Sequence, residues 1–164
     1  MTASSPAATQ DLVVRRIVNA PLELAWRAWS TPEQMRRWWG PQDYTCPVCE
    51  MDFRQGGRTL VSMRASDGAE HYSLIEYTRI IPNQHIEYVH NLADASGARI
   101  APETIGLPAD FPQDQRTVVS FRALGTFTEI IITQYAVPVT PFRVYAALGL
   151  HEMMDKITQA TESA

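Results

Sequence analysis

The sequence predicts an α+β fold in which a curved antiparallel sheet packs against one long C-terminal helix. Two observations lead to this prediction. Short strand-like segments separated by turn residues fill most of the chain, and helical periodicity governs its final part. Such short intervals favour antiparallel hairpins, because parallel strands need long crossover connections. The predicted order is one strand, two short helices, six strands and one long helix.

The first strand is predicted at residues 11–18, which are rich in Leu, Val and Ile. Pro21 suits the first turn of a helix, where its missing N–H costs nothing. One apolar helical face then consists of Leu22, Ala25, Trp26 and Trp29. The segment Thr31-Pro32-Glu33-Gln34 matches the capping box, in which Thr31 caps a second short helix and Gln34 reaches back. Gly40-Pro41 ends that helix.

Turn residues recur regularly after this point and divide the chain into strands. The six predicted strands span residues 43–53, 58–65, 69–81, 85–93, 116–123 and 126–136. Residues 94–115 interrupt the pattern with several prolines and glycines beside Ile105, Leu107 and Phe111. Because these side chains are apolar, the loop is predicted to lie against the body of the protein, as a lid or as the cover of a sheet edge.

The last helix is predicted to begin at Thr140-Pro141 and to continue for about four turns. Its apolar periodic positions are Phe142, Tyr145, Ala146, Gly149, Met153, Met154 and Ile157. A glycine in a helix interior costs about 1 kcal/mol, and a close approach of the helix to the sheet would be one reason to tolerate Gly149.

The composition limits the classes of function. The chain has 164 residues, 45% of them hydrophobic, with a net charge of −4. We expect a disordered tail at residues 1–10 and one domain at residues 11–161. No cluster of basic residues predicts a nucleic-acid partner, and no apolar run predicts a membrane span or a signal peptide. Two cysteines give no disulfide framework, so a cytoplasmic location is expected.

Several short motifs occur in order along residues 11–160. They are Asn19-Ala20-Pro21, Ala25 to Glu33, Trp38-Trp39-Gly40-Pro41, Asp52 to Gly57, Asp67-Gly68, Glu76-Tyr77, Ile81-Pro82, Gly149, Met154-Asp155 and Ile157. Together they resemble the activator of heat-shock protein 90 ATPase homologue-like family, within the START-like (SRPBCC) helix-grip superfamily. The resemblance implies a seven-stranded antiparallel sheet that grips the C-terminal helix, with a cavity between them.

Three residues depart from the pattern of this family. Leu150 stands where the family commonly has Trp, His90 where a Trp often closes the fifth strand, and Gln134 where a His is frequent. All three changes are expected to alter the cavity. No ligand is therefore transferred from the resemblance.

The candidate binding site follows from strand alternation combined with the resemblance. His90 and Gln134 are expected to be polar groups on apolar walls that face the helix, as in many small-molecule sites. The predicted ligand-binding residues are Trp39, Tyr88, His90, Phe121, Ile132, Gln134, Tyr145 and Met154. The alternative interpretation is that His90 and Gln134 are core residues whose hydrogen bonds are satisfied by neighbours.

The four tryptophans are divided between the core and a surface. Trp26 and Trp29 have the spacing of one buried helical face. Trp38 and Trp39 are adjacent and cannot face the same way, so one of them is a candidate for the cavity mouth or for a partner surface.

Two motifs resemble parts of metal sites, but each lacks ligands that such a site needs. Cys46-Pro47-Val48-Cys49 lacks the second cysteine pair that a structural zinc needs, and it is expected in a strand rather than at the helix start typical of a redox pair. His151-Glu152 lacks the second histidine of a zinc-protease helix, so these are expected to be solvated helix residues. No catalytic residue is assigned and no cofactor is expected.

Three functions remain open from the sequence. The first is binding of a small hydrophobic or amphipathic molecule. The second is a cyclase, dehydratase or hydrolase on the same scaffold, with His90 as the candidate general acid or base. The third is a chaperone-interaction module with an exposed apolar patch. The resemblance implies that such activators work with a separate N-terminal chaperone-binding domain. Residues 1–10, which precede the first predicted strand, are too few to form one, so this function is not favoured. A homodimer is compatible with each.

Overall fold

The protein folds around one curved sheet, and its computed structural model describes residues 8–164. The strands are β1 (Thr9–Val18), β2 (Cys49–Met51), β3 (Arg58–Arg64), β4 (Glu70–Ile81), β5 (His85–Ala93), β6 (Gln115–Leu124) and β7 (Phe127–Pro138). The helices are α1 (Leu22–Ser30), α2 (Pro32–Met35) and α3 (Phe142–Glu162), and one 3-10 turn spans Pro102–Ile105.

The sheet is antiparallel throughout, in the order β1-β7-β6-β5-β4-β3-β2. Hairpins connect successive strands from β2 to β7, apart from the long connection between β5 and β6, and β1 pairs with the last strand. Asn83 and Gly125 turn two hairpins with φ angles of 61° each. The predicted fold class and element order are confirmed.

Helix α3 packs against β1 and α1 on the inner face of the sheet. Its buried side chains are Leu150, Met154, Ile157, Ala160 and Thr161. They join a large core cluster with the inward residues of the sheet and with Trp29 and Trp38. A smaller apolar cluster of Leu60, Leu74 and Ala93 lies on the opposite face of the sheet.

The edge strand β2 is much shorter than the predicted strand at 43–53. Only Cys49–Met51 forms a regular ladder, and Thr45 makes an isolated bridge to Arg64. Between these points Pro47 has no N–H to donate, and the Val48 amide donates to the Ser62 hydroxyl rather than to a backbone carbonyl. The prediction that both cysteines lie within one strand is therefore wrong for Cys46.

Two predictions about element ends also need correction. The Thr31 hydroxyl donates back to the carbonyl of Arg27 in α1 at 2.9 Å, so it does not cap α2 and the predicted capping box is absent. Strand β1 begins at Thr9, two residues before its predicted start. The remainder of the predicted tail, residues 1–7, lies outside the described residues.

A β-bulge in β7 changes which residues face inward. Leu12 pairs with Gln134 and Gln10 pairs with Val137, so two residues of β7 lie opposite Asp11. Ala136 has a φ of 52°, and its amide donates to the Asp11 carboxylate at 3.0 Å. Because the extra residue resets the alternation, Gln134 and Val137 point to the same side of the sheet.

Gly57 belongs to the turn between β2 and β3, where a side chain has no space. A Cβ on this residue would lie 2.3 Å from the carbonyl oxygen of Asp52. That oxygen is part of the backbone and cannot move aside easily, so the close packing of this turn requires glycine. The physical role of the Asp52 to Gly57 motif is therefore a tight, closely packed turn.

No helix among the residues from 8 to 164 combines the length and the apolar character that crossing a membrane requires.

Candidate ligand-binding site

A cavity of about 420 Å³ lies between the inner face of the sheet and the first half of α3. Its remaining walls come from residues 39–44 and from the loop between β5 and β6. Small-molecule sites are commonly of this size, mainly apolar, with a few convergent polar groups. The cavity is thus the part of the molecule best suited to hold a ligand.

The sheet wall carries a row of three polar side chains on adjacent strands. Tyr88 of β5 pairs with Thr117 of β6, which pairs with Gln134 of β7. His90 follows Tyr88 on the same face of β5 and also lines the cavity. The predicted orientation of His90 and Gln134 toward the helix is what the structure shows.

His90 lies in an environment that disfavours its charged form. Its ring centroid is 6.1 Å from that of Trp39. Burial lowers the pKa of His90 to about 4, so the imidazole is neutral at pH 7. Within residues 8–164 the side chains of His90 and Gln134 make no hydrogen bond, and both are only partly buried, as expected of residues that face a cavity.

Further polar atoms on the cavity wall lack partners. Trp29 Nε1 and His71 Nδ1 are buried and hydrogen-bond to no other described residue, while Thr117 Oγ1 makes only a weak contact of poor geometry with the Tyr88 side chain. Trp29 is 3% exposed and Thr117 is 1% exposed. A buried polar group without a partner costs about 1–3 kcal/mol, so a molecule that supplies the missing partner gains that free energy on binding.

The outer wall of the cavity is apolar and includes the long loop. Ile105, Leu107 and Phe111 line the cavity from the loop. The ring of Phe111 meets that of Phe142 at the start of α3 edge-to-face, with centroids 5.0 Å apart. The loop therefore lies against the body of the protein as predicted, and it forms part of the cavity wall. Tyr145 is 71% exposed and stands at the rim.

Five of the eight predicted site residues line the cavity. They are Trp39, Tyr88, His90, Gln134 and Tyr145. Phe121, Ile132 and Met154 do not: they are buried in the core beside the cavity. Phe121 packs against Trp26 at 5.2 Å between ring centroids, where α1 fills the space above the sheet. Ile132 and Gln134 are two residues apart on β7, and this step of roughly 7 Å leads from the cavity wall into the packed core.

Six wall residues with polar side-chain atoms were not predicted from the sequence. They are Trp29, Tyr44, His71, Ser73, Gln115 and Thr117. Thr117 alternates along β6 with the buried residues Val119 and Phe121, so strand alternation would have predicted that it faces inward. Trp29 was predicted as core, and it is buried there, but its indole also borders the cavity.

The neighbouring tryptophans take different positions, as predicted. Trp38 is fully buried, and its Nε1 donates to the Ala28 carbonyl at 2.6 Å. Trp39 is 8% exposed and borders the cavity. Since both are buried, neither forms the exposed partner patch that one of the earlier hypotheses required.

The candidate metal motifs have structural roles. Cys46 and Cys49 are free and buried, and burial raises their pKa values to about 11 and about 12, which leaves both thiols protonated and unreactive. Glu152 accepts from the Gln42 amide, and Asp155 pairs with Arg16. In the described part of the chain, no three His, Cys, Asp or Glu residues group as metal ligands.

A second depression of about 500 Å³ opens near β2 and the loop after β5. It carries the charged side chains of Glu50, Asp52 and Arg58 and contains none of the predicted site residues. Its polar, solvent-facing character makes it a poorer site for a hydrophobic molecule than the cavity behind α3.

Comparison with known proteins gives one family match. The model of the family described as Activator of Hsp90 ATPase homolog 1-like protein matches residues 19–162. No curated protein matches the chain.

Solved bacterial structures share the fold over nearly the whole chain. A protein from Arthrobacter aurescens has a TM-score of 0.78 at 21% identity, over 94% of this chain and 87% of its own. A protein from Chromobacterium violaceum has a TM-score of 0.74 at 24% identity, over 93% of this chain and 96% of its own. The AHSA1-like protein from Aeromonas hydrophila has a TM-score of 0.72 at 20% identity, over 94% of this chain and 93% of its own. At such identities the likeness concerns the fold.

Proposed function

Because this chain belongs to the family of activator of Hsp90 ATPase homolog 1-like proteins, we propose that its helix-grip cavity binds a small hydrophobic or amphipathic molecule. The observation that carries the proposal is the cavity of about 420 Å³, with mainly apolar walls and polar atoms that hydrogen-bond to none of residues 8–164. These are the properties expected of a binding site rather than of a packed core.

The affinity would come mainly from the apolar walls. Each 100 Å² of apolar ligand surface removed from water contributes about 2.5 kcal/mol, before the cost of association. The aromatic side chains of Trp39, Phe111 and Phe142 offer large contact areas for this purpose. Polar groups on the sheet wall would then fix the orientation of the ligand.

Binding is favoured over catalysis by the surroundings of His90. A catalytic imidazole is normally oriented by a hydrogen bond and has a pKa near the working pH. His90 has a pKa of about 4, and no carboxylate among residues 8–164 contacts it. We therefore propose that His90 belongs to the wall of a binding site.

Native mass spectrometry of protein purified from its own host tests this function. The informative variant is Leu150→Trp, because Leu150 is buried on the cavity wall and a larger ring there fills the cavity. Leu148→Trp is the matched control, since Leu148 lies on the same helix and is 56% exposed. We expect a small molecule bound to the wild type and to Leu148→Trp, and none bound to Leu150→Trp.

Equal occupancy in the two tryptophan variants would show that the molecule binds outside the cavity. A wild-type protein that carries no small molecule would contradict the proposal and direct the search to protein partners. Circular dichroism of both variants confirms that a loss of ligand does not reflect a loss of fold.

A further inference from the structure

The cavity wall provides no side chain that could neutralise a charged ligand. Among the described residues that line it there is no Lys, Arg, Asp or Glu. The nearest candidates for a positive charge are His71 and His90, and burial keeps His90 neutral at pH 7. A charged group that enters such a site loses its hydration and gains no counter-charge, which costs several kcal/mol.

Polar atoms for a neutral ligand are nevertheless present, and they cluster on the sheet wall. Tyr88, Thr117 and Gln134 lie directly opposite one another on three adjacent strands. Side chains paired in this way have Cβ atoms about 5 Å apart, so one small polar group can reach two of them. Thr117 Oγ1 makes no hydrogen bond of normal geometry in the part of the chain that the structure describes, and the Tyr88 side chain is its one weak contact there.

The chemistry of this row matches a hydroxyl or a carbonyl. A threonine hydroxyl donates one hydrogen bond and accepts others, and a glutamine amide both donates and accepts. The opposite wall, formed by the loop and α3, is apolar where Leu107, Phe111 and Leu150 line it. The cavity therefore has one neutral polar side and one apolar side.

We propose that the ligand is an uncharged molecule with a hydroxyl or carbonyl group, which hydrogen-bonds to Thr117 and Gln134 while its apolar part contacts α3 and the loop. This inference rests on the proposed function and specifies the class of ligand for the same cavity.

Calorimetric titration of the full chain with matched two-ring probes tests the class of ligand. At pH 7, 2-naphthol is neutral and 2-naphthoate is an anion of similar size, while naphthalene has no polar group. We expect 2-naphthol to bind at least tenfold more tightly than 2-naphthoate. It should also bind severalfold more tightly than naphthalene, because a hydrogen bond contributes about 1 kcal/mol.

The variant Thr117→Val tests the position of the polar group. It removes the hydroxyl and keeps the shape, so we expect the affinity for 2-naphthol to fall about twofold to tenfold and that for naphthalene to stay unchanged. The matched control is Thr133→Val, because Thr133 points to the opposite face of the sheet and lines no part of the cavity. It should change neither affinity.

The outcomes separate this inference from the proposed function. Equal binding of 2-naphthoate and 2-naphthol would overturn the neutral class and leave a ligand cavity standing. Equal loss of 2-naphthol and naphthalene in Thr117→Val would overturn the hydrogen bond. Binding of none of the three probes would contradict the proposed function itself. A thermal melt of Thr117→Val close to that of the wild type excludes misfolding, since the hydroxyl has only its weak contact with Tyr88 to lose.

Discussion

His90 illustrates the cost of placing a polar side chain on an apolar wall. Its ring stands beside Trp39, and burial is the cause of its lowered pKa. A phenylalanine at this position would remove the cost of placing a polar imidazole ring in largely apolar surroundings. Residues that lower the stability of the fold are expected mainly at functional sites, and His90 is such a residue.

The lowered pKa of His90 predicts a specific dependence of stability on pH. Between pH 6.5 and pH 4 the unfolded chain binds a proton at this residue and the folded protein does not. The free energy of unfolding is therefore lost as the pH falls through this window, by about 3 kcal/mol at most. Urea denaturation at pH 7 and pH 4 measures the loss. In His90→Phe the loss should be smaller by this amount, and an identical loss in both proteins would show that the folded pKa is near its usual value.

The residues of β6 and β7 show what alternation predicts and what it leaves open. Alternation correctly placed Ile132 and Gln134 on the inner face of the sheet. Alternation does not show which inward residues lie beneath α1 and which lie beneath the cavity. Helix α1 covers Phe121, whereas Thr117 faces the cavity. For this reason Phe121 and Ile132 were predicted as wall residues although they belong to the core.

At the level of elements, cationic side chains of α3 add to its apolar packing by donating to backbone carbonyls. Near its end, Lys156 donates to the carbonyls of Gly40, Pro41 and Tyr44 at 2.9, 3.3 and 3.1 Å. Near its start, Arg143 donates to carbonyls of β1 and β7. Lys156 is the single lysine of the chain, and its contacts fix the segment that carries Trp39.

Removal of the Lys156 ammonium should therefore destabilise the protein. Lys156→Met keeps the apolar stem and removes the donor to the carbonyls of Gly40 and Tyr44, while that of Pro41 keeps the Tyr44 amide. We expect a loss of about 1–2 kcal/mol, since the amine is only partly buried. Asp155→Asn is the control, because its pair with Arg16 is exposed and should contribute less than about 1 kcal/mol. Guanidinium denaturation compares the two. Equal losses would mean that Lys156 acts through surface charge alone.

Gly149 shows why the packing of α3 was harder to predict than its existence. Its place within the helix suggested a close approach to the sheet. A Cβ on Gly149 would instead meet the ring of Pro41 at 3.6 Å, an ordinary contact, with no sheet atom among its near neighbours. A close approach to the sheet is therefore not the reason for this glycine, because the residue borders the cavity.

For the whole molecule, the order and type of the elements followed from local patterns. The turn at Asn83, the helix start near Pro141 and the alternation of the strands each have a local cause. The cavity depends on the distance between elements that are far apart in the chain. Its outer wall comes from the loop at Phe111, whose apolar residues indicated contact with the body without identifying the surface contacted.

The burial of Cys46 and Cys49 gives the chain an internal probe of local unfolding. A thiol reagent such as Ellman's reagent reacts only with the exposed thiolate, so labelling requires an opening event. Because β2 is a three-residue edge strand that contains Cys49, its separation from β3 is a local opening expected to expose that thiol.

The labelling rates of the single variants Cys46→Ala and Cys49→Ala would report this opening site by site. We expect reaction at least a hundredfold slower than that of a free thiol, with urea increasing the rate at both sites. Rates equal to that of a free thiol would contradict burial. If the edge opens without global unfolding, labelling will depend on urea only weakly, and the sheet then loses β2 before the rest of the fold.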